Sequence, residues 1–268
     1  MEPYRHLIGT TPLLVSVPHC GTDIPDQFAA RMTPEALALP DTDWHTDRLY
    51  AFAKDLGAHM LCANFSRYVV DLNRDPSGQP LYPGRENTEI CPLQSFDRQP
   101  LYRAGEEPRE AEIRRRIDVY WRPYHDKLAD IISRLKETHG LALVFDAHSI
   151  RSRLPRFFEG RLPDLNLGTG GGDTADPELA GLLLAVCKEA PGMSAVLDGR
   201  FKGGYITRHY GRPAERAHAV QLELVQATYM EEEPPYRYRA ELSERLAPTL
   251  HRLVAAMQEW ALARVGSA

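Results

Sequence analysis

Leu141-Ala142-Leu143-Val144-Phe145-Asp146-Ala147-His148-Ser149 is the stretch that decides how this chain folds. Leu141–Phe145 reads as a buried strand, and it runs straight into an aspartate and a histidine. Before it, from about residue 109 to 138, Ile113, Ile117, Tyr120, Tyr124, Leu128, Ile131 and Leu135 recur at steps of three and four. Those steps trace one helical face, and Gly140 stops the helix. Pro123 inside the run predicts a kink, because it removes a backbone donor and clashes with the preceding turn. Arg109, Arg114, Arg115 and Arg116 fall on the face that reads as exposed.

The same alternation extends in both directions. Further strands are expected at Leu13–Val17, Met60–Ala63, Tyr68–Leu72, Ala195–Leu197 and Ala219–Leu224. Asp43 can cap a helix through Leu49, Phe52 and Leu56, which Gly57 ends. Later helices are expected over roughly 177–189 and 241–263. Strands alternating with helices of this length predict a layered α/β fold with a largely parallel sheet. The whole chain, 1–268, reads as one domain with two long loops, about 73–105 and 150–175. Such loops in a compact domain are usually functional. Gly168-Thr169-Gly170-Gly171-Gly172 is not a phosphate-binding loop, since no Lys-Ser/Thr follows, and reads as a flexible lid.

Composition narrows the classes. Among 268 residues, 32 Lys+Arg face 37 Asp+Glu, a formal net charge of −5. That balance argues against nucleic acid and anionic membrane as partners. With 43% hydrophobic residues the chain can bury a core, yet no apolar run approaches the ~18–20 residues of a membrane span. No basic segment followed by an apolar stretch opens the sequence, so a cytoplasmic protein is expected. The four cysteines form no C-x-x-C pair, which disfavours a thiolate zinc site. Cys20 beside His19 reads as a small hydrophobe rather than a nucleophile.

Chemistry concentrates at strand ends, where open α/β sheets bind ligands. His19 follows the first strand and His148 the fourth. Two imidazoles on separate strand ends suit a metal, and Asp146 can orient one of them. Hydrolytic zinc needs a third ligand, and Asp43 and Asp47, four residues apart, are both candidates; His45 between them is weaker. Glu223 lies between Leu222 and Leu224, where burial raises a carboxyl pKa toward that of a general base. Arg67, Arg74 and Arg208 near these ends point to an anionic, dicarboxylic ligand, because guanidinium binds carboxylate through a bidentate fork.

Five blocks in order, Val17-Pro18-His19-Cys20-Gly21, Asp43-Trp44-His45-Thr46-Asp47-Arg48-Leu49-Tyr50, Ser66-Arg67-Tyr68-Val69-Val70-Asp71-Leu72-Asn73-Arg74, Asp146-Ala147-His148-Ser149 and Gln221-Leu222-Glu223-Leu224, resemble the N-formylglutamate amidohydrolase family. The resemblance covers roughly residues 10–260. It implies a three-layer α/β/α fold with a mostly parallel mixed sheet, similar to the zinc carboxypeptidase and phosphorylase/hydrolase-like fold. It also implies hydrolysis of N-formyl-L-glutamate to formate and L-glutamate, the last step of one route of histidine degradation. The implied site has His19 and His148 as ligands of Zn²⁺ or another divalent transition metal, Asn73 and Arg74 as substrate clamp, and Glu223 as base. The related carboxypeptidases place their acidic ligand three residues after the first histidine, where this chain has Thr22. Asp47 is therefore the expected third ligand, with Asp43 next and Asp23 last. Arg67 is expected near the oxyanion, and Arg208 beside Arg74 on the substrate carboxylates. Two other functions are compatible with the residues: a zinc amidohydrolase for another N-acyl amino acid or short peptide, and a metal-free acidic amino acid binding protein.

Overall fold

The computed structural model describes residues 2–81, 84 and 86–265. Seven strands form one sheet: β1 (Tyr4–Leu7), β2 (Leu13–Val17), β3 (His59–Ala63), β4 (Ala142–Ile150), β5 (Leu165–Gly168), β6 (Ala195–Leu197) and β7 (Ala217–Val225). Their order is β1-β3-β2-β4-β7-β5-β6. The central strands β3, β2, β4 and β7 are parallel, whereas β1 pairs antiparallel with β3 and β5 antiparallel with β7. The helices are α1 (Asp26–Ala29), α2 (Pro34–Leu37), α3 (Thr46–Leu49), α4 (Glu110–Arg116), α5 (Arg122–His139), α6 (Pro177–Lys188), α7 (Tyr205–Tyr210) and α8 (Ala240–Leu262).

Strand alternation sends side chains to two cores. Leu13, Val15, Leu143 and Phe145 face α6 and α8, meeting Leu179, Leu183, Leu250 and Val254. Leu14, Ala142 and Val144 face the other way, against Tyr124, Leu128, Ile131 and Leu135 of α5. Helices on both faces of a mixed sheet make the expected three layers. The expected β2 and β6 have the observed bounds, β7 extends the expected strand at both ends, and β4 starts one residue later but runs on to Ile150, taking in Asp146 and His148.

Four expectations need correction. Tyr68–Leu72 is not a strand, although Tyr68, Val69, Val70 and Leu72 are buried. It turns back on itself, with the Val69 amide donating to the Ser66 carbonyl at 2.9 Å. The carbonyls of Tyr68 and Val69 are satisfied by Arg116, whose Nη1 reaches them at 3.3 and 3.1 Å. Arg116 is consequently a fully buried residue rather than a surface one, also held by Glu112 and the Tyr102 hydroxyl. A single guanidinium here replaces the hydrogen bonds of a missing ladder. Arg116→Met leaves those carbonyls unpaired and is expected to cost about 3 kcal/mol, read from the denaturant midpoint at unchanged slope. The kink expected at Pro123 takes the form of a π-turn over Ile117–Trp121 immediately before it. The extra residue re-registers the helix so that the proline starts a new α segment. Finally, Gly168 ends β5, and Gly170 and Gly171 follow at positive φ in a turn fixed by Asp198, which accepts from the amides of Thr169 and Gly171. That turn is pinned to the sheet edge and does not line the pocket described below, so it is no lid.

Candidate metal centre and active site

The cluster forms where β2, β4 and β7 end. His19 sits on the turn after β2, and the Asp43 amide donates to its carbonyl at 3.1 Å, tying two segments together at once. His148 lies within β4, and the parallel register sets it directly beside Glu223 of β7. His19, Asp43 and His148 are all buried, and each offers a ligand atom within 4.8 Å of the others.

Each imidazole is aimed by its far nitrogen. Nε2 of His19 lies 2.7 Å from Asp71 Oδ1, leaving Nδ1 facing Asp43 Oδ2 at 3.7 Å. Nε2 of His148 lies 3.1 Å from Asp146 Oδ2, and its Nδ1 lies 3.0 Å from Asp43 Oδ2. Nδ1 of His19 is buried and has no hydrogen-bond partner. A buried nitrogen left without a partner beside a carboxylate and a second imidazole fits a cation, and carboxylate support behind each ring is the pattern of metal-binding histidines. The donors, two nitrogens and an oxygen without a thiolate, suit catalytic zinc.

Electrostatics follow from the packing. Burial pushes the Asp43 carboxyl up, but the His148 ring bonded to it and the neighbouring His19 outweigh that and hold the group well below the usual range. Asp71 is likewise kept ionised against burial, by Arg67, Arg74 and His19. Burial lowers His148, whereas Asp146 and Asp43 more than reverse that and raise it well above an ordinary histidine. Glu223 behaves differently from Asp43 and Asp71. Burial dominates there and lifts its pKa to about 8, with Gln221 Nε2 donating to Oε2 at 3.2 Å.

Asp47, the expected third ligand, is not in the cluster. Its Oδ2 pairs with Arg5 at the surface, 2.8 Å away, and Asp43 occupies the third position instead. A spacing of four places two residues on one face only if the helix between them is unbroken. Here His45 takes φ 62°, a left-handed turn that ends the register, and its ring bonds the Tyr236 carbonyl. Helix α3 therefore starts after Asp43, with Thr46 Oγ1 donating to the Asp43 carbonyl, and the Asp43 side chain turns inward. Asp23 also stands outside the cluster.

One pocket joins the cluster to Glu223, Arg67, Asn73 and Arg74. Arg67 Nη2 holds Asp71 at 2.6 Å, and Arg74 Nη2 donates to Thr88 Oγ1 at 2.7 Å. Asn73, expected as a clamp, has its side-chain amide engaged by the protein. Oδ1 accepts from the Ile206 amide at 2.7 Å, and Nδ2 donates to Asp146 Oδ2 at 3.3 Å. In this arrangement it positions Asp146 and His148. Arg208 does not line this pocket. It is exposed on α7, whose inward positions are Ile206 and Thr207, and borders a separate groove with Tyr205 and His209. Sequence reasoning missed Phe96 and Phe157, from the two long loops, and Arg200 and Phe201, from the segment after β6, all of which line the pocket. Membership of those loops was the only signal for Phe96 and Phe157, and nothing in the sequence marked Arg200 and Phe201.

Residues 11–230 match the family model described as N-formylglutamate amidohydrolase. The chain belongs to the N-formylglutamate amidohydrolase family. N-formylglutamate deformylase of Pseudomonas aeruginosa is 51% identical over 252 residues, 94% of each chain. The Pseudomonas putida protein of that name is 49% identical over 256 residues, 96% of each. The crystal structure of N-formylglutamate amidohydrolase from Ralstonia eutropha superposes with a TM-score of 0.84 at 26% identity, covering 99% of this chain and 100% of that one. A gene product of Agrobacterium tumefaciens shares the fold, with a TM-score of 0.73 at 18% identity over 97% and 96% of the two chains. Membership in this family makes the chain an enzyme, an amidohydrolase.

Proposed function

We propose that the protein is a metal-dependent deformylase that hydrolyses N-formyl-L-glutamate to formate and L-glutamate, the last step of a histidine degradation route, in the cytoplasm. The observation carrying this reading is the buried His19–Asp43–His148 cluster sharing one pocket with Glu223 and three guanidinium groups. No helix among the described residues is long and apolar enough to cross a membrane.

His19, Asp43 and His148 would hold Zn²⁺. When bound, zinc supplies Lewis acidity, which lowers the pKa of water toward ~7 and polarises a formyl oxygen. The remaining work falls to the protein. Glu223, buried beside His148, accepts a proton from the attacking water and returns it to the amine of glutamate as the C–N bond breaks. Arg67, fixed by Asp71, offers positive charge to the oxygen that becomes anionic. Arg74 holds a carboxylate of the substrate. A formyl group presents little surface, so binding at the glutamate end must supply most of the recognition.

Purified protein is expected to carry about one zinc per chain and to release formate from N-formyl-L-glutamate faster than acetate or succinate from the corresponding N-acyl glutamates. Preferential release of acetate or succinate would move the assignment to a related amidohydrolase. Glutamate binding without metal or turnover would move it to a binding protein.

A further inference from the structure

The pocket carries one cationic residue that the reaction as described does not use. Arg200 lies on the loop after β6, and it lines the same pocket as the His19–Asp43–His148 cluster. Its Nε donates to the Phe157 carbonyl at 2.6 Å, and its guanidinium carbon sits 5.2 Å from the centre of the Phe201 ring. A tie at one edge and a ring under one face fix the plane of the guanidinium, and a fixed plane is what bidentate recognition of a carboxylate requires.

Its place in the pocket separates it from the other arginines. Arg67 and Arg74 both approach Asp71, at 2.6 and 3.9 Å, and Asp71 holds His19. They belong to the His19 end. Arg200 reaches the pocket from a different segment, on a loop whose Gly204 amide donates to Gln221 Oε1 at 2.7 Å, while Gln221 bonds Glu223. Aromatic rings connect Arg67 to Arg200 along the pocket wall. The Arg67 guanidinium lies over Phe96 at 4.8 Å, the Phe96 and Phe157 rings meet edge to face at 5.1 Å, and Phe157 carries Arg200 on its carbonyl. Arg67 at the reacting end, two phenyl rings and Arg200 beyond them match a ligand whose methylenes lie between its scissile group and a distal carboxylate.

We infer that Arg200 reads the distal, side-chain carboxylate of the substrate and so sets the preference for an acidic N-formyl amino acid. This rests on the formylglutamate reading above, and leaves the α-carboxylate to Arg74. Arg200 is a specificity residue: it contacts the far end of the substrate and none of the reacting atoms.

The test compares kcat/KM for N-formyl-L-glutamate and N-formyl-L-glutamine, which share the scissile bond and differ in the distal charge. Arg200→Gln is expected to lower the value for formylglutamate by about 100-fold while changing that for formylglutamine by less than about threefold. Arg200→Lys should recover part of the loss. Inhibition by L-glutamate and by L-norvaline gives the same comparison without turnover, and only inhibition by glutamate should weaken. Equal losses on both substrates, or no loss on either, would overturn the assignment of Arg200. Absence of formate release from formylglutamate by the wild-type enzyme would instead overturn the functional reading beneath it.

Discussion

Glu223→Gln is expected to lower kcat by about 10³-fold while leaving zinc content unchanged. The substitution keeps the shape of the side chain and removes its capacity to accept a proton. Glu223 lies one strand over from His148, close enough to serve water at the cluster but not itself part of it. Loss of metal together with activity would place Glu223 among the ligands and remove it as the base. The pH behaviour supplies a second reading. Burial lifts the pKa of Glu223 to about 8. A dication at the adjacent cluster favours the charged form and lowers that value, so the acid limb of kcat/KM should fall below pH 8. In metal-free protein the sign of the stability effect is opposite to that of a salt-bridged carboxylate. A raised folded pKa means that the penalty for burying the charge is absent below the unfolded value near 4.5. It grows as pH rises toward about 8. Metal-free Glu223→Gln should therefore be more stable than metal-free wild type at pH 8, with the difference vanishing near pH 4.

The parts of this arrangement visible in the sequence were those encoded by short-range pattern. β2 and β6 are apolar and end in polar residues, so their limits could be read directly. The pairing of His19 with His148 followed from strand ends in an open sheet. What escaped depended on contacts between distant segments. β5 carries Asn166 and Gly168 and does not look like a strand, but Asn166 Nδ2 donates to the Glu223 carbonyl and the backbone completes the ladder with β7. The exposed and half-buried alternation of β1 is too short to stand out, and antiparallel pairing with β3 creates it. Tyr68–Leu72 has the composition of a strand without its hydrogen bonds, because Arg116 arrives from 47 and 48 residues along the chain to satisfy the Val69 and Tyr68 carbonyls. The choice between Asp43 and Asp47 turned on a single backbone angle at His45, which a spacing argument treats as helical.

That choice produces the sharpest contrast among the proposed metal ligands. Asp43→Ala should reduce zinc affinity by more than about 100-fold and abolish formate release, measured by equilibrium dialysis with elemental analysis and by assay. Asp47→Ala should leave both unchanged, since it removes only a surface pair with Arg5 worth less than about 1 kcal/mol. The reverse pattern would restore Asp47 as ligand. Asp71→Asn tests the layer behind the cluster. Its carboxylate holds Nε2 of His19 at 2.7 Å and Arg67 Nη2 at 2.6 Å, so affinity should fall by about 10- to 100-fold without disappearing. Protons compete for the same nitrogens. Asp146 and Asp43 raise His148 well above an ordinary histidine, so its metal-free ring is protonated at neutral pH and must release that proton to bind zinc. Zinc affinity should thus increase with pH through the neutral range, and calorimetric titrations in buffers of different ionisation enthalpy should show proton release on binding. Asp146→Asn removes the group with the largest raising effect on His148, and the proton release at pH 7 should shrink. Unchanged proton release in that variant would mean that His148 binds metal from an already neutral ring.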